Sequence, residues 1–358
     1  MEKHIKLIKE LCELNAPSGF EEDARDYLKK EMKDLGNISF DFLGSIICEK
    51  KGTENGPKIM LPGHMDEIGF LVKHISKEGF IKFITLGGWW DQVLLGKKVI
   101  IKTKKGDITG VIGSTPPHVL EAKDRDVVVK IKSMFIDIGA ENKEEAEDTF
   151  GVALGDPIVP CSEFIQMANP NYYMAKALDN RLGTALMVDI LKEFQNQNHP
   201  NILYGVGTVQ EEVGLRGAQT AANHIKPDIN FTLDVGIAGD TPGLESHNMN
   251  ADLGKGPIIL LADASLIPHR KLKNFVLETA KEMDIPVQLS TMVGGGTDAG
   301  SIHLAEAGVP SVSFGIPTRY IHSHNSIFNI KDYEYLKKLL IELIKKIDNK
   351  KLQELKEF

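Results

Sequence analysis

Cysteine is scarce in this chain: Cys12, Cys48 and Cys161 are the three in 358 residues. Their odd number and wide spacing build neither a CxxC zinc knuckle nor a disulfide framework. Free thiols fit a reducing compartment. Long apolar runs are missing as well. No stretch approaches the roughly 18 apolar residues of a membrane span, and the opening MEKHIKLIKELCEL is charged throughout, unlike a signal peptide. The expectation is a cytoplasmic protein with no membrane partner. Basic charge is not in excess either: 42 Lys and Arg stand against 50 Asp and Glu, a formal net charge of -8. Without a basic stripe and interleaved aromatics, no nucleic-acid partner is expected. Internal repeats and low-complexity tracts are absent.

What is present is ordinary globular material, 42% hydrophobic and 26% charged. At this length two domains are expected rather than one. Ile5, Ile8, Leu11 and Leu14 predict a helix over 4–14, NAPSG at 15–19 breaks it, and a second helix follows over 21–35. Strand patterns occupy 45–49 and 58–61. From Phe70 to about Cys161, short β-type runs separated by Gly, Pro and charged turns predict a small all-β barrel or sandwich, with a helix signal at 142–147. After Tyr172 the texture is α/β. A helix over 179–194 carries Leu182, Leu186, Ile190 and Phe194 on one face, and strands are predicted at 201–209, 229–234, 257–261, 286–290 and 310–314. Further helices are predicted over 270–283, 298–307 and 332–355. This alternation predicts an α/β fold, a largely parallel sheet covered by helices on both faces. Residues 1–69 and 162–358 would form that domain, with 70–161 inserted into it.

Metal-liking side chains stand where predicted strands end or loops begin: His64 with Asp66, Asp179, Glu211 with Glu212, Asp234, and His322 with His324. Each has a bland reading. Asp179 is placed to cap a helix or charge its first turn, paired glutamates after a strand are usually solvated, and a loop histidine is usually a bystander. Asp66, two residues beyond His64 in an extended segment, shares its side and is placed to accept its ring N–H and fix the tautomer. Taken together, two histidines, two terminal carboxylates and a bridging one suit two divalent ions about 3.5–4 Å apart. Mixed nitrogen and oxygen ligation suits Zn²⁺, Co²⁺ or Mn²⁺. A further carboxylate outside the metal shell would serve as general base, and Glu211 and Glu212 are placed to divide those two roles. Glycoside hydrolysis also uses paired carboxylates, but it leaves His64, Asp234 and His322 without a task. A non-catalytic binding protein would show broken ligands.

The segments His64-Met65-Asp66-Glu67-Ile68-Gly69-Phe70, Ala177-Leu178-Asp179-Asn180-Arg181, Gln210-Glu211-Glu212-Val213-Gly214, Asp234-Val235 and Arg319-Tyr320-Ile321-His322-Ser323 resemble, in order, the motifs of the M42 aminopeptidases. The similarity extends over essentially the whole chain. It implies a zinc-peptidase-like catalytic domain with an inserted all-β dimerisation domain. It implies His64, Glu212, Asp234 and His322 as terminal metal ligands and Asp179 as the bridge, followed by a cis peptide bond. Glu211 would be the base and Asp66 the residue that orients His64, with His324 the rival of His322. Short peptides are the implied substrates, and dimers building a hollow tetrahedral homododecamer the implied assembly. The inserted segment has a second reading as a lid or packing module. Within it, Gly87-Gly88-Trp89-Trp90 reads as interface or core. The Gly294-Gly295-Gly296-Thr297-Asp298 loop reads as a helix cap, as a backbone approach to substrate, or as both.

Overall fold

The computed structural model describes residues 3–53, 55–244, 251–292 and 294–357. One large sheet and one closed barrel make up its strands. The centre of the large sheet is parallel: Ile202–Thr208 pairs with Lys58–His64, and Ile229–Ile237 lies between Lys58–His64 and Ser311–Arg319. These strands are buried on both faces and side chains alternate between layers. Ile59 and Leu61 face the helices Lys3–Glu13, Leu178–Glu193 and Ile330–Lys346. Met60 joins the opposite layer with Ala218, Ala221 and Ala222 of the helix Arg216–Ile225. Helices therefore cover both faces, as expected.

The expectation of a largely parallel sheet is corrected: the sheet is mixed. Asn37–Phe40 and Ile46–Lys51, Tyr172–Ala175 and Ser326–Asn329, and the short Ile165–Gln166 are all added antiparallel. Where the paired strands are neighbours in sequence, as at 37–51 and 165–175, the physical reason is connection length, since a tight turn can join only antiparallel strands. Asp41 makes one such turn, accepting the N–H groups of Leu43, Gly44 and Ser45 on a single oxygen. The closing helix over 332–355 is likewise two helices, Ile330–Lys346 and Asn349–Lys356, because Asp348 caps the second by accepting the Lys351 N–H. The helix expected over 298–307 shrinks to Ala299–Ile302.

The β-rich segment closes into a six-stranded barrel, in the order Gly69–Ile75, Ile81–Leu86, Phe135–Asp137, Gly106–Gly113, Lys98–Thr103 and Pro157–Pro160. Phe70, Ile81, Val99, Ile101, Ile136 and Ile158 fill it. Cys12, Cys48 and Cys161 are free. No helix among the described residues is long and apolar enough to cross a membrane.

One contact between layers places the site. A Cβ on Gly63 would come 2.7 Å from the backbone of Gly183, and one on Gly183 would come 2.3 Å from the Leu233 carbonyl. Strand and helix thus touch backbone to backbone. His64, next after Gly63, meets the first turn of the helix that bears Asp179.

Candidate metal centre

His64 ends its strand fully buried. Its Nδ1 lies 3.0 Å from the Asp66 backbone carbonyl, which can only accept, so Nδ1 carries the proton and Nε2 is left facing the cluster. The role expected for the Asp66 carboxylate falls partly to its own main chain, since the nearer carboxylate oxygen is 3.5 Å from Nδ1. That carboxylate instead accepts the N–H groups of Glu211 and Glu212 at 3.0 and 3.2 Å and the Ser18 hydroxyl at 2.6 Å.

Asp179 is not a helix cap. Its backbone is non-helical, its bond to Asn180 is cis, and the capping bond from the Gly183 N–H falls on Asn180 Oδ1 at 2.9 Å instead. Its two oxygens point at different histidines: Oδ1 is 3.0 Å from His64 Nε2, and Oδ2 is 3.3 Å from His322 Nε2. Asp234 Oδ1 stands 4.0 Å from His64 Nε2, and Glu212 Oε2 stands 3.4 Å from His322 Nε2. Two ligand groups therefore share Asp179, one with His64 and Asp234 and the other with Glu212 and His322. A third group joins His64, Glu211 and Glu212. Ligands about 2.0–2.2 Å from one tetrahedral cation lie roughly 3.3 Å apart, which is the scale of these separations.

Electrostatics point the same way. Burial and the neighbouring Asp179 carboxylate push Glu212 up to about 8. Burial raises Glu211 well above the usual carboxylate range, helped by Glu212 and Asp234 and opposed by His64. Burial and Asp179 raise Asp234 likewise. Burial alone would lower the two histidines, but Glu211, Asp179 and Asp66 hold His64 well above its ordinary value, and Asp179 and Glu212 hold His322 at about 9. Glu212 Oε1 is buried without a hydrogen-bond partner. Crowded carboxylates with an orphaned oxygen are a donor set that fits divalent cations.

His324 lies apart from this group. It is buried, its Nε2 bonds the Lys98 carbonyl at 3.0 Å, and burial pushes it down to about 4. The two tryptophans separate: Trp89 stacks on Phe70 and donates to the Gly69 carbonyl, whereas Trp90 is exposed. Sequence reasoning gave Gly87 and Gly88 no place here. A Cβ on Gly87 would stand 3.2 Å from Glu212 Oε2, and one on Gly88 would stand 3.2 Å from His322 Nδ1, so this barrel turn lies against both side chains. Glu67 was also missed. It is buried, with Lys176 Nζ at 2.6 and 2.8 Å from its two oxygens. The capping reading of the glycine loop is corrected. Neither candidate caps: Thr297 Oγ1 is buried without a hydrogen-bond partner and Asp298 accepts from Thr208, while Gly294, Gly295, Gly296 and Thr297 line a cavity of about 790 Å³ that opens onto His64, Asp179 and His322.

Comparison with known proteins finds relatives along nearly the whole chain. The model of the M42 glutamyl aminopeptidase family matches residues 44–339. A glutamyl aminopeptidase of Lactococcus lactis is 39% identical over 355 residues, 98% of each chain. A TET aminopeptidase from a marine-sediment Thaumarchaeota archaeon superposes with a TM-score of 0.96 at 47% identity, covering 99% of both chains. A TET peptidase of Pyrococcus horikoshii, described as able to assemble into a tetrahedron or a large octahedral shell, gives a TM-score of 0.85 at 33% identity and covers 96% of this chain and 100% of its own.

Proposed function

The chain belongs to the M42 family of aminopeptidases, and from that premise we propose that it removes N-terminal residues from short peptides at two divalent metal ions. The observation that carries this reading is Asp179, whose two oxygens face two separate ligand groups. His64 and Asp234 would hold one ion and Glu212 and His322 the other, with Zn²⁺, Co²⁺ or Mn²⁺ suited to the mixed donors. When bound, such ions polarise a carbonyl and acidify water. Glu211 takes a proton from the attacking water as its oxygen bonds the scissile carbonyl carbon. It then returns that proton to the amine as the C–N bond breaks. The Asp66 main chain keeps the His64 ring in one tautomer, and the Asp66 carboxylate fixes the backbone of Glu211 and Glu212. A glycosidase would need the carboxylates but neither histidine.

Away from the carboxylates, the cavity is walled by Val235, Ile237, Leu244, Met292 and Ile321. We expect Leu and Met anilides to exceed Glu and Lys anilides in kcat/KM by on the order of 10- to 100-fold, the effect of burying an apolar side chain. A panel of aminoacyl-anilides assayed with each metal tests both levels. A best rate on Glu would overturn the side-chain preference alone; no hydrolysis with any metal would overturn the aminopeptidase reading.

The barrel, in the same reading, is an inserted domain over about 70–161 that mediates contacts between copies. Supporting this are the exposed Trp90, Leu95, Val111, Val119 and Val127 within that segment, and the tetrahedral assembly described for the Pyrococcus horikoshii relative. Sedimentation is expected to find dimers and a particle of twelve 39.5 kDa chains. A strict monomer at all metal loadings would defeat the assembly.

A further inference from the structure

We propose that Ser18 and Glu21, in the turn between the first two helices, are positioning residues that set the direction of the Glu211–Glu212 pair. The inference rests on the reading of those glutamates as base and ligand. Three successive N–H groups of their loop end on two buried carboxylates: Gln210 on Glu21 Oε1 at 3.0 Å, and Glu211 and Glu212 on the two oxygens of Asp66. Both carboxylates are fixed from the same short segment. The Ser18 hydroxyl donates to Asp66 Oδ2 at 2.6 Å, and the Gly19 N–H donates to Glu21 Oε1 at 2.7 Å. Ser18, Glu21 and Asp66 are 4%, 6% and 0% exposed.

Glu21 stands at the N-cap of the helix Glu22–Met32 yet makes no capping bond to it. Its carboxylate is spent on a loop 189 residues away in sequence. That loop needs holding. Gln210 has φ +55°, a left-handed conformation that a non-glycine residue keeps only where its surroundings impose it. The consequence reaches the site, because adjacent glutamates must face different partners. Glu211 Oε2 lies 3.8 Å from His64 Nε2, while Glu212 Oε2 lies 3.4 Å from His322 Nε2. Rotating the peptide between them would misplace both, and a misplacement of about 1 Å is worth roughly 100-fold in rate.

The test compares Glu21→Ala, Glu21→Gln and Ser18→Ala in the metal-loaded full chain. Both loop and turn bonds fall on Oε1, so a glutamine amide oxygen can replace it. Glu21→Ala is expected to lower kcat by about 10- to 100-fold with KM within roughly twofold. Bound metal is expected to be retained, and Glu21→Gln to recover most of the rate. Ser18→Ala, the milder change, is expected to show the same kcat effect at smaller size. Independently of activity, the amides of 210–212 are expected to exchange faster in Glu21→Ala than in the wild type or Glu21→Gln. Unchanged exchange overturns the inference. So does a kcat loss that Glu21→Gln fails to recover, or one that merely follows the loss of metal. A wild type inactive on every anilide would instead overturn the aminopeptidase reading, leaving the exchange result to decide the clamp.

Discussion

Replacing Glu211 by Gln is expected to reduce kcat by roughly 10²- to 10⁴-fold, the range attributable to a positioned general base, while both metal sites stay filled. Gln keeps the size and hydrogen-bonding reach of Glu but takes up no proton at neutral pH. Distance to His64 Nε2 does not single Glu211 out, since its Oε2 at 3.8 Å lies between Asp179 at 3.0 Å and Asp234 at 4.0 Å; group membership and electrostatics do. Glu211 lies outside the two ligand groups that share Asp179. Its burial and its neighbours raise its proton affinity, which suits a group that must accept a proton and give it back. The rival assignment comes from the group of His64, Glu211 and Glu212. Were Glu211 a ligand, the variant would lose metal along with activity. Metal analysis on the purified variant, beside single-turnover kinetics, separates the two outcomes.

Stripping the protein with a chelator is expected to remove activity altogether, with recovery on adding Zn²⁺, Co²⁺ or Mn²⁺, and also to change how stability depends on pH. Burial and Asp179 raise Glu212 from 4.5 to about 8, so between those values the folded metal-free chain holds a proton that the unfolded chain releases. His322 is raised from 6.5 to about 9, and the stabilisation this represents is complete below the lower value and lost as pH rises through the higher one. The two effects have one sign. Asp179, lowered by its histidines in spite of burial, acts only in acid, below this window. The melting temperature of the metal-free protein should therefore fall on the order of several degrees from about pH 6 to about pH 9. Ligands already deprotonated by bound metal flatten that slope. Thermal melts of the stripped and reloaded protein check this, and a stripped protein as stable at the alkaline end as at the neutral one would contradict it.

The sequence was most legible where chemistry and strand ends coincide. His64, Asp179, Glu212, Asp234 and His322 were each visible as a metal-liking residue after a strand or at a helix start, and the fold brings them together. Partners joined only through the main chain were not visible. Nothing in a linear pattern says that the Asp66 carboxylate takes the N–H groups of Glu211 and Glu212, or that its carbonyl takes His64. The helix Arg216–Ile225 escaped because its buried stripe is mostly alanine, too weakly apolar to stand out. Ser326–Asn329 and Asn37–Phe40 are four-residue strands whose place is set by their neighbours in the sheet rather than by their own periodicity. Gly87 and Gly88 drew notice for the tryptophans that follow them. Their own use, a turn without side chains lying on Glu212 and His322, belongs to the meeting of barrel and sheet.

The barrel also separates in time what the sheet joins in space. Lys58 pairs with Ile202 in the parallel centre of the sheet, and the whole barrel is made between those two strands. Chains fold broadly from the N-terminus as they are synthesised. The ribosome therefore releases His64 and then an entire barrel before the strand that Lys58–His64 must pair with exists. His322, which completes the group of Asp179 and Glu212, follows far later still. A chain that stops short of His322 thus lacks a member of the cluster, however well its barrel has formed.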